Sequence, residues 1–128
     1  MAFLLHSVDD GHVIPWEYLP CSAITPKVGM ALGQTSGNLS IASGAPTYIS
    51  MVEKEAACAA GDMIPVIRVA KDQVYEVPLS ASGAALKLGD KVTLAADGLK
   101  VTATTTAGVA EIVGMNGTAV GDTVLVRF

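Results

Sequence analysis

A short phrase recurs three times in the chain: AAGDMIPVIRV at 59–69, KLGDKVTL at 87–94 and AVGDTVLVRF at 119–128. Each time a Gly-Asp pair stands before a stretch in which apolar residues alternate with others. Glycine takes positive φ without steric cost, and an Asp side chain accepts from backbone N–H groups near it, so the pair suits a turn that leads into a strand. Period-two alternation then assigns sides. In TVLVRF, Val124, Val126 and Phe128 share one face, and Thr123, Leu125 and Arg127 share the other. In MIPVIRV, Ile64, Val66 and Arg68 fall together. This makes Asp62, Asp90 and Asp122 turn residues, not catalytic ones.

The phrase belongs to a longer repeat. Setting 27–68 on 87–128 without gaps pairs Lys27/Lys87, Gly29/Gly89, Leu39/Leu99, Ala59/Ala119, Gly61/Gly121, Asp62/Asp122 and Val66/Val126. Apolar positions coincide as well, among them Val28/Leu88, Leu32/Val92, Ile41/Val101, Ile49/Val109, Val52/Ile112 and Ile64/Val124. Two half-repeats, 27–68 and 87–128 with a connector at 69–86, imply an internal duplication and not a solenoid, which needs three or more stacked units.

Short runs rich in Val, Ile, Thr and Tyr read as strands at 38–43, 47–53, 63–69, 73–79, 91–94, 99–106, 108–114 and 123–128. Turn chemistry separates them at Ser-Gly-Asn 36–38 and Ala-Asp-Gly 96–98. The expected fold is all-β: a small barrel or sandwich of short antiparallel strands, internally duplicated, in one domain over 27–128. Met51–Ala60 is the one helix candidate, with a strand end and Ala-rich loop as its alternative. Pro65, which has no N–H to give a ladder, is expected on an edge or at a bulge. Residues 1–26 lie outside the repeat and carry Phe3, Trp16 and Tyr18, with Pro15 and Pro20 keeping them extended. Such an arm either lies across a neighbouring molecule or supplies the first strand of its own domain.

Charge narrows the function. Eight basic and twelve acidic residues leave a net charge of −4, and the basic ones are scattered from Lys27 onward, which disfavours nucleic acid and anionic membrane. Mean hydropathy is +0.49 with only 16% charged residues. A surface so poor in charge ends up covered by partners, which points to an assembly component. MAFLLHSVDD lacks a basic n-region and its apolar run is too short for a secretory leader. Cys21 and Cys58 match no metal spacing and read as buried thiols, with nothing that requires a disulfide. His6, Asp9, Asp10 and His12, in HSVDDGH, form the one cluster with metal-ligand chemistry, but Asp-Asp-Gly is also plain turn sequence. Glu53 and Glu55 flank Lys54 on what reads as a solvated edge. No nucleophile elbow, phosphate loop or dinucleotide fingerprint occurs, so no catalytic residue, metal or cofactor is assigned.

The AAGDMIPVIRV phrase, the stretch VPLSASGAALKLGDKVTLAADGLKV at 77–101 and the ending AGVAEIVGMNGTAVGDTVLVRF at 107–128 together resemble the capsid decoration, or cement, proteins of tailed bacteriophages and prophages. The resemblance spans 27–128 and rests on turn-and-strand pattern. It implies a compact β domain without an active site, bound to the major capsid protein on the outside of an assembled head, self-associated as trimers or other clusters where capsomers meet, and put in place in the bacterial cytoplasm. The unmatched arm then supplies the candidate gripping residues: Phe3, Leu4, Leu5, Trp16, Tyr18 and Leu19. Two other readings compete. One is a small β-barrel that binds a glycan on a cell surface; the other is a metal enzyme built on His6, Asp9, Asp10 and His12.

Overall fold

A computed structural model describes residues 2–11 and 13–128, with Asp10 through its backbone alone. Its strands are β1 (Leu4–Val8), β2 (Trp16–Pro20), β3 (Ala31–Thr35), β4 (Asn38–Ile41), β5 (Tyr48–Ser50), β6 (Met63–Arg68), β7 (Gln73–Pro78), β8 (Lys91–Val92), β9 (Ala110–Met115) and β10 (Thr123–Arg127). They form two five-stranded antiparallel sheets, ordered β1-β7-β10-β9-β8 and β2-β6-β5-β3-β4. The chain is all-β, and the two sheets make a sandwich-like pair, not a closed barrel. One apolar cluster draws Val77, Val92, Ile112, Val124 and Val126 from the first sheet and Ala31, Ile49 and Ile67 from the second. A second cluster, with Cys21, Leu32, Leu39, Ile64 and Val66, lies on the other face of the second sheet.

The duplication is written in the hydrogen bonds. Gly61 donates its N–H to the Cys21 carbonyl at 2.8 Å, and Gly121 donates to Leu79 at 2.9 Å. Cys21 and Leu79 in turn donate to Asp62 and Asp122. Gly29 donates to Ser50, and Gly89 to Ile112, both at 2.8 Å. Single parallel bridges, Cys21 to Leu39 and Leu79 to Val101, draw each sheet round on itself. The side chains at equivalent positions, Leu32/Val92, Ile64/Val124 and Val66/Val126, are all buried.

The structure corrects the ungapped repeat in two ways. Gln34 stands opposite Leu39 as Leu94 stands opposite Val101, so Leu39 corresponds to Val101 and not to Leu99. Likewise Ser50 faces Val66 as Ile112 faces Val126. The second half is therefore two residues longer from 94 to 101 than the first is from 34 to 39, and two shorter from 112 to 126 than from 50 to 66. A slip of two leaves every side chain on the same face of a strand, which is why the apolar positions still coincided without the gap. The repeat also begins upstream of residue 27. Glu17–Pro20 pair with β6 in the register in which Tyr75–Pro78 pair with β10, so β2 and β7 are counterparts and 69–86 is no mere connector.

Other expectations meet specific backbone reasons. Met51–Ala60 is irregular, not helical. Lys54 and Cys58 donate their N–H groups outward, to Pro26 and Ile24, and so withhold them from a helical ladder. Pro65 is on neither an edge nor a bulge, since β6 lies between β2 and β5. Its carbonyl accepts from Met51 at 2.9 Å, just where β5 ends, so its missing N–H interrupts no β5 ladder bond. The Thr-rich run 99–106 forms only isolated bridges, from Val101 to Leu94 and to Leu79, and a distorted pairing in which the Thr93 and Thr102 hydroxyls meet at 2.7 Å. The expected turns at 36–38 and 96–98 are both present, with Gly37 and Gly98 at positive φ.

The Gly-Asp phrase is a turn, as its chemistry implies. Asp62, Asp90 and Asp122 each donate an N–H to the carbonyl three residues back, and the carboxylate of each accepts the N–H of that same residue at 2.9–3.1 Å. A fourth copy at 27–30 keeps Gly29 at φ +83° but has Met30 in the Asp position. Gly29 carries a further demand that Gly89 does not. A Cβ at 29 would stand 2.7 Å from both the Ala2 Cβ and the Phe3 carbonyl, whereas one at 89 meets open space. Gly89→Ala therefore costs about 1–2 kcal/mol from backbone strain alone, and Gly29→Ala costs about 3 kcal/mol because the N-terminal strand must also move. Urea unfolding midpoints of the two variants check that order.

Candidate functional site

The N-terminal residues settle the question of the arm. They pack on their own domain and supply an edge to each sheet: β1 pairs only with β7, and β2 only with β6. Between the two strands the chain crosses from sheet to sheet. Arg127 fastens that crossing, donating from Nη1 to the Asp9 carboxylate at 3.1 Å and to the Lys71 carbonyl at 2.7 Å. One segment thus supplies edge strands to both sheets.

Alternation decides which side chains face out. Glu17 turns to the Arg68 side of the sheet, where the guanidinium grips its carboxylate through Nε at 3.1 Å and Nη2 at 2.9 Å. That bond is the main reason the Arg68 pKa lies above its ordinary value. The Tyr48 ring lies 5.1 Å beneath the same guanidinium. With Glu17 fixed, Trp16 and Tyr18 must point to the opposite face, beside Pro65 and Ile67. They are 56% and 60% exposed, next to Met63 at 57%, and Leu4 and Leu5 on β1 are 43% and 40% exposed. A groove of about 340 Å³ runs here, walled by Leu4, Leu5, Ile14, Trp16, Val28 and Met51 over a floor of Phe3 and Ile67. Its lining is apolar throughout.

Of the six residues proposed to grip, four belong to this surface: Leu4, Leu5, Trp16 and Tyr18. Phe3 does not. It is 1% exposed, with its ring centroid 5.6 Å from Phe128 and 6.4 Å from Tyr75, so it is a core residue that anchors β1. Aromatic content alone could not distinguish an anchor from a grip. Leu19 is half-buried against the core of the first half, on the Glu17 side of β2. Met63 and Val28 were missed. In the sequence, the period-two pattern of β6 already placed Met63 on the face away from Ile64.

Only His6 and Asp9 of the HSVDDGH candidates have side chains among the described residues. His6 is exposed, Asp9 is spent on Arg127, and His12 and the Asp10 side chain lie outside the described residues. Among the described residues no group of three or more His, Cys, Asp or Glu is placed to hold a metal ion. No helix among them is long and apolar enough to cross a membrane. No protein-family model matches the chain, and no curated protein matches it.

Phe3 and Trp16 should therefore behave oppositely. Phe3→Ala loses about 3–5 kcal/mol of unfolding free energy, while Trp16→Ala and Tyr18→Ala change it by about 0.5 kcal/mol, as read from denaturant titrations. The Phe3 pocket also sets an alkaline limit. Burial, aided by the charge of Asp72, raises the Tyr75 phenol above its ordinary value of 10.0. The unfolded chain then ionises first, so this contribution is whole below pH 10.0 and is lost as the pH climbs beyond it. Tyr75→Phe should flatten that loss in a pH series of thermal melts.

Proposed function

We propose that the protein is a non-enzymatic structural subunit that decorates the outside of an assembled phage head and stabilises it. The observation that carries the reading is the apolar strip of Leu4, Leu5, Trp16 and Tyr18 on the edge strands β1 and β2, with Met63 beside it on β6. The resemblance of 27–128 to decoration proteins supplies the partner, the major capsid protein. Mechanism is adhesion. Apolar side chains leave water on docking, worth about 25 cal/mol per Å² before ordering costs. Because the side chains sit on paired strands, docking orders little new backbone. Clustered copies, trimers in this proposal, turn a modest single contact into tight attachment by avidity. A net charge of −4 disfavours nucleic acid as a partner. The location that follows is the virion exterior, after assembly in the host cytoplasm.

Trp16 and Tyr18 also support a second reading. Two exposed aromatics on one strand face can stack on a sugar ring, as a glycan-binding module requires. Tyr48 and Tyr75 are buried and cannot add to such a platform.

Co-sedimentation with undecorated heads separates the readings. The wild-type protein should pellet with heads, and should still do so at about 1 M salt, where charge contacts are screened. The double variant Trp16→Ser/Tyr18→Ser should stay in the supernatant while keeping its fold. Binding by that variant equal to wild type overturns the strip as the docking surface. Failure of the wild type to pellet, with binding on a glycan array, moves the assignment to the second reading.

A further inference from the structure

The seam at which the first half closes holds both cysteines of the chain. Cys21 follows β2 and is fully buried; Cys58 lies in the irregular 51–62 segment and is 4% exposed. Both belong to one buried apolar cluster, and Cys58 is near enough to Cys21 to contribute to raising its thiol pKa. The backbone fixes that meeting. The Cys21 carbonyl accepts from Gly61, the Cys21 N–H donates to Asp62, and the Cys58 N–H donates to Ile24. At the equivalent seam of the second half Leu79 stands in the place of Cys21 and fills it with plain aliphatic packing. Packing alone thus does not require a thiol there, still less two close together.

We propose that Cys21 and Cys58 are a modification site, a latent disulfide that a small-molecule disulfide such as oxidised glutathione closes, tying the 51–62 loop to the end of β2. The order of events follows from the backbone. Cys58 sits among exposed neighbours, Ala56, Ala57, Ala59 and Ala60, and becomes accessible when this segment opens locally. Its thiolate attacks one sulfur of the reagent, forming a mixed disulfide and releasing one thiol. Reclosure brings Cys21 against the Cys58 sulfur. Cys21 gives up its proton, bonds to that sulfur and expels the second thiol. Two protein thiols are oxidised and one small disulfide is reduced to two thiols. Burial, then the nearby Cys58, pushes the Cys21 thiol up to about 12, so it remains protonated and inert until the mixed disulfide is delivered to it. The closed form links residues 21 and 58, a span of 58 − 21 = 37 positions, and restricts the unfolded chain accordingly. This inference is independent of what the apolar strip binds.

The test uses full-length protein incubated with oxidised glutathione, then denatured, alkylated and weighed. The expected product is 2 Da lighter than the reduced chain, about the mass of two hydrogens, with both cysteines protected from alkylation together. Its Tm should rise by on the order of 10 °C and fall back with dithiothreitol. Cys21→Ala should instead collect a stable glutathione adduct on Cys58. A stable adduct on the wild-type chain, disulfide-linked dimers, or two thiols that both remain alkylatable would overturn the proposal. Should the variant fail to fold, the wild-type mass still decides.

Discussion

The chain reverses direction four times through one turn, and the rest of the structure hangs on it. At 27–30, 59–62, 87–90 and 119–122 a Gly with φ between +83° and +93° lets the backbone swing from the preceding loop toward a strand. In three of the four the following Asp closes the turn with its own carboxylate. A side chain in place of Gly would oppose that φ at each position. The turn N–H groups then reach neighbouring segments, at Ser50, Cys21, Ile112 and Leu79, so each turn also fixes where its strand lies against the last one. Sheet register, and with it the buried face, follows from these bonds.

Two curled halves made this way still have to be joined. The join comes from three places. Gln73 is buried between them: its side chain amide donates to the Arg68 carbonyl at 2.9 Å, and its carbonyl oxygen accepts from the Tyr75 hydroxyl at 2.6 Å. Gly98, at the tip of a second-half hairpin, accepts from Ala31 at the start of β3 at 2.8 Å. The N-terminal segment spans both sheets, with Phe3 driven into the first and β2 laid along the second. The same segment that completes the fold therefore forms its outer apolar edge. That coupling explains why Phe3 and Trp16, thirteen positions apart (16 − 3 = 13) in one stretch, have opposite roles.

Much of this was legible in the residues. The all-β fold, the two hairpin turns, the structural role of the Gly-Asp pairs and the inward face of TVLVRF all follow from local chemistry and period two. What was not legible depends on distance in sequence. The two-residue insertion in the second half, and the two-residue deletion that later offsets it, are silent in an apolar pattern, because a strand slipped by two keeps its faces. The kinship of β2 and β7 hides behind an offset of 58 in place of 60, though Pro-x-Ser at 20–22 and at 78–80 marks it. Trp16 and Tyr18 could be recognised as exposed once β2 was known to be a strand. Phe3 could not be recognised as buried, since its partners Tyr75 and Phe128 are remote in the chain.

The proposed adhesive role of this low-charge domain stands or falls on whether its apolar strip is covered when the protein does its work. Trp16 is the only tryptophan in the chain, so it reports on the strip alone. The most direct measurement is its fluorescence in protein carrying 5-hydroxytryptophan, excited where the shell is silent, before and after addition of undecorated heads. The account predicts water-exposed emission in the free protein, and a blue shift with loss of quenching by acrylamide once bound. Bound protein whose Trp16 emission and quenching are unchanged would contradict it.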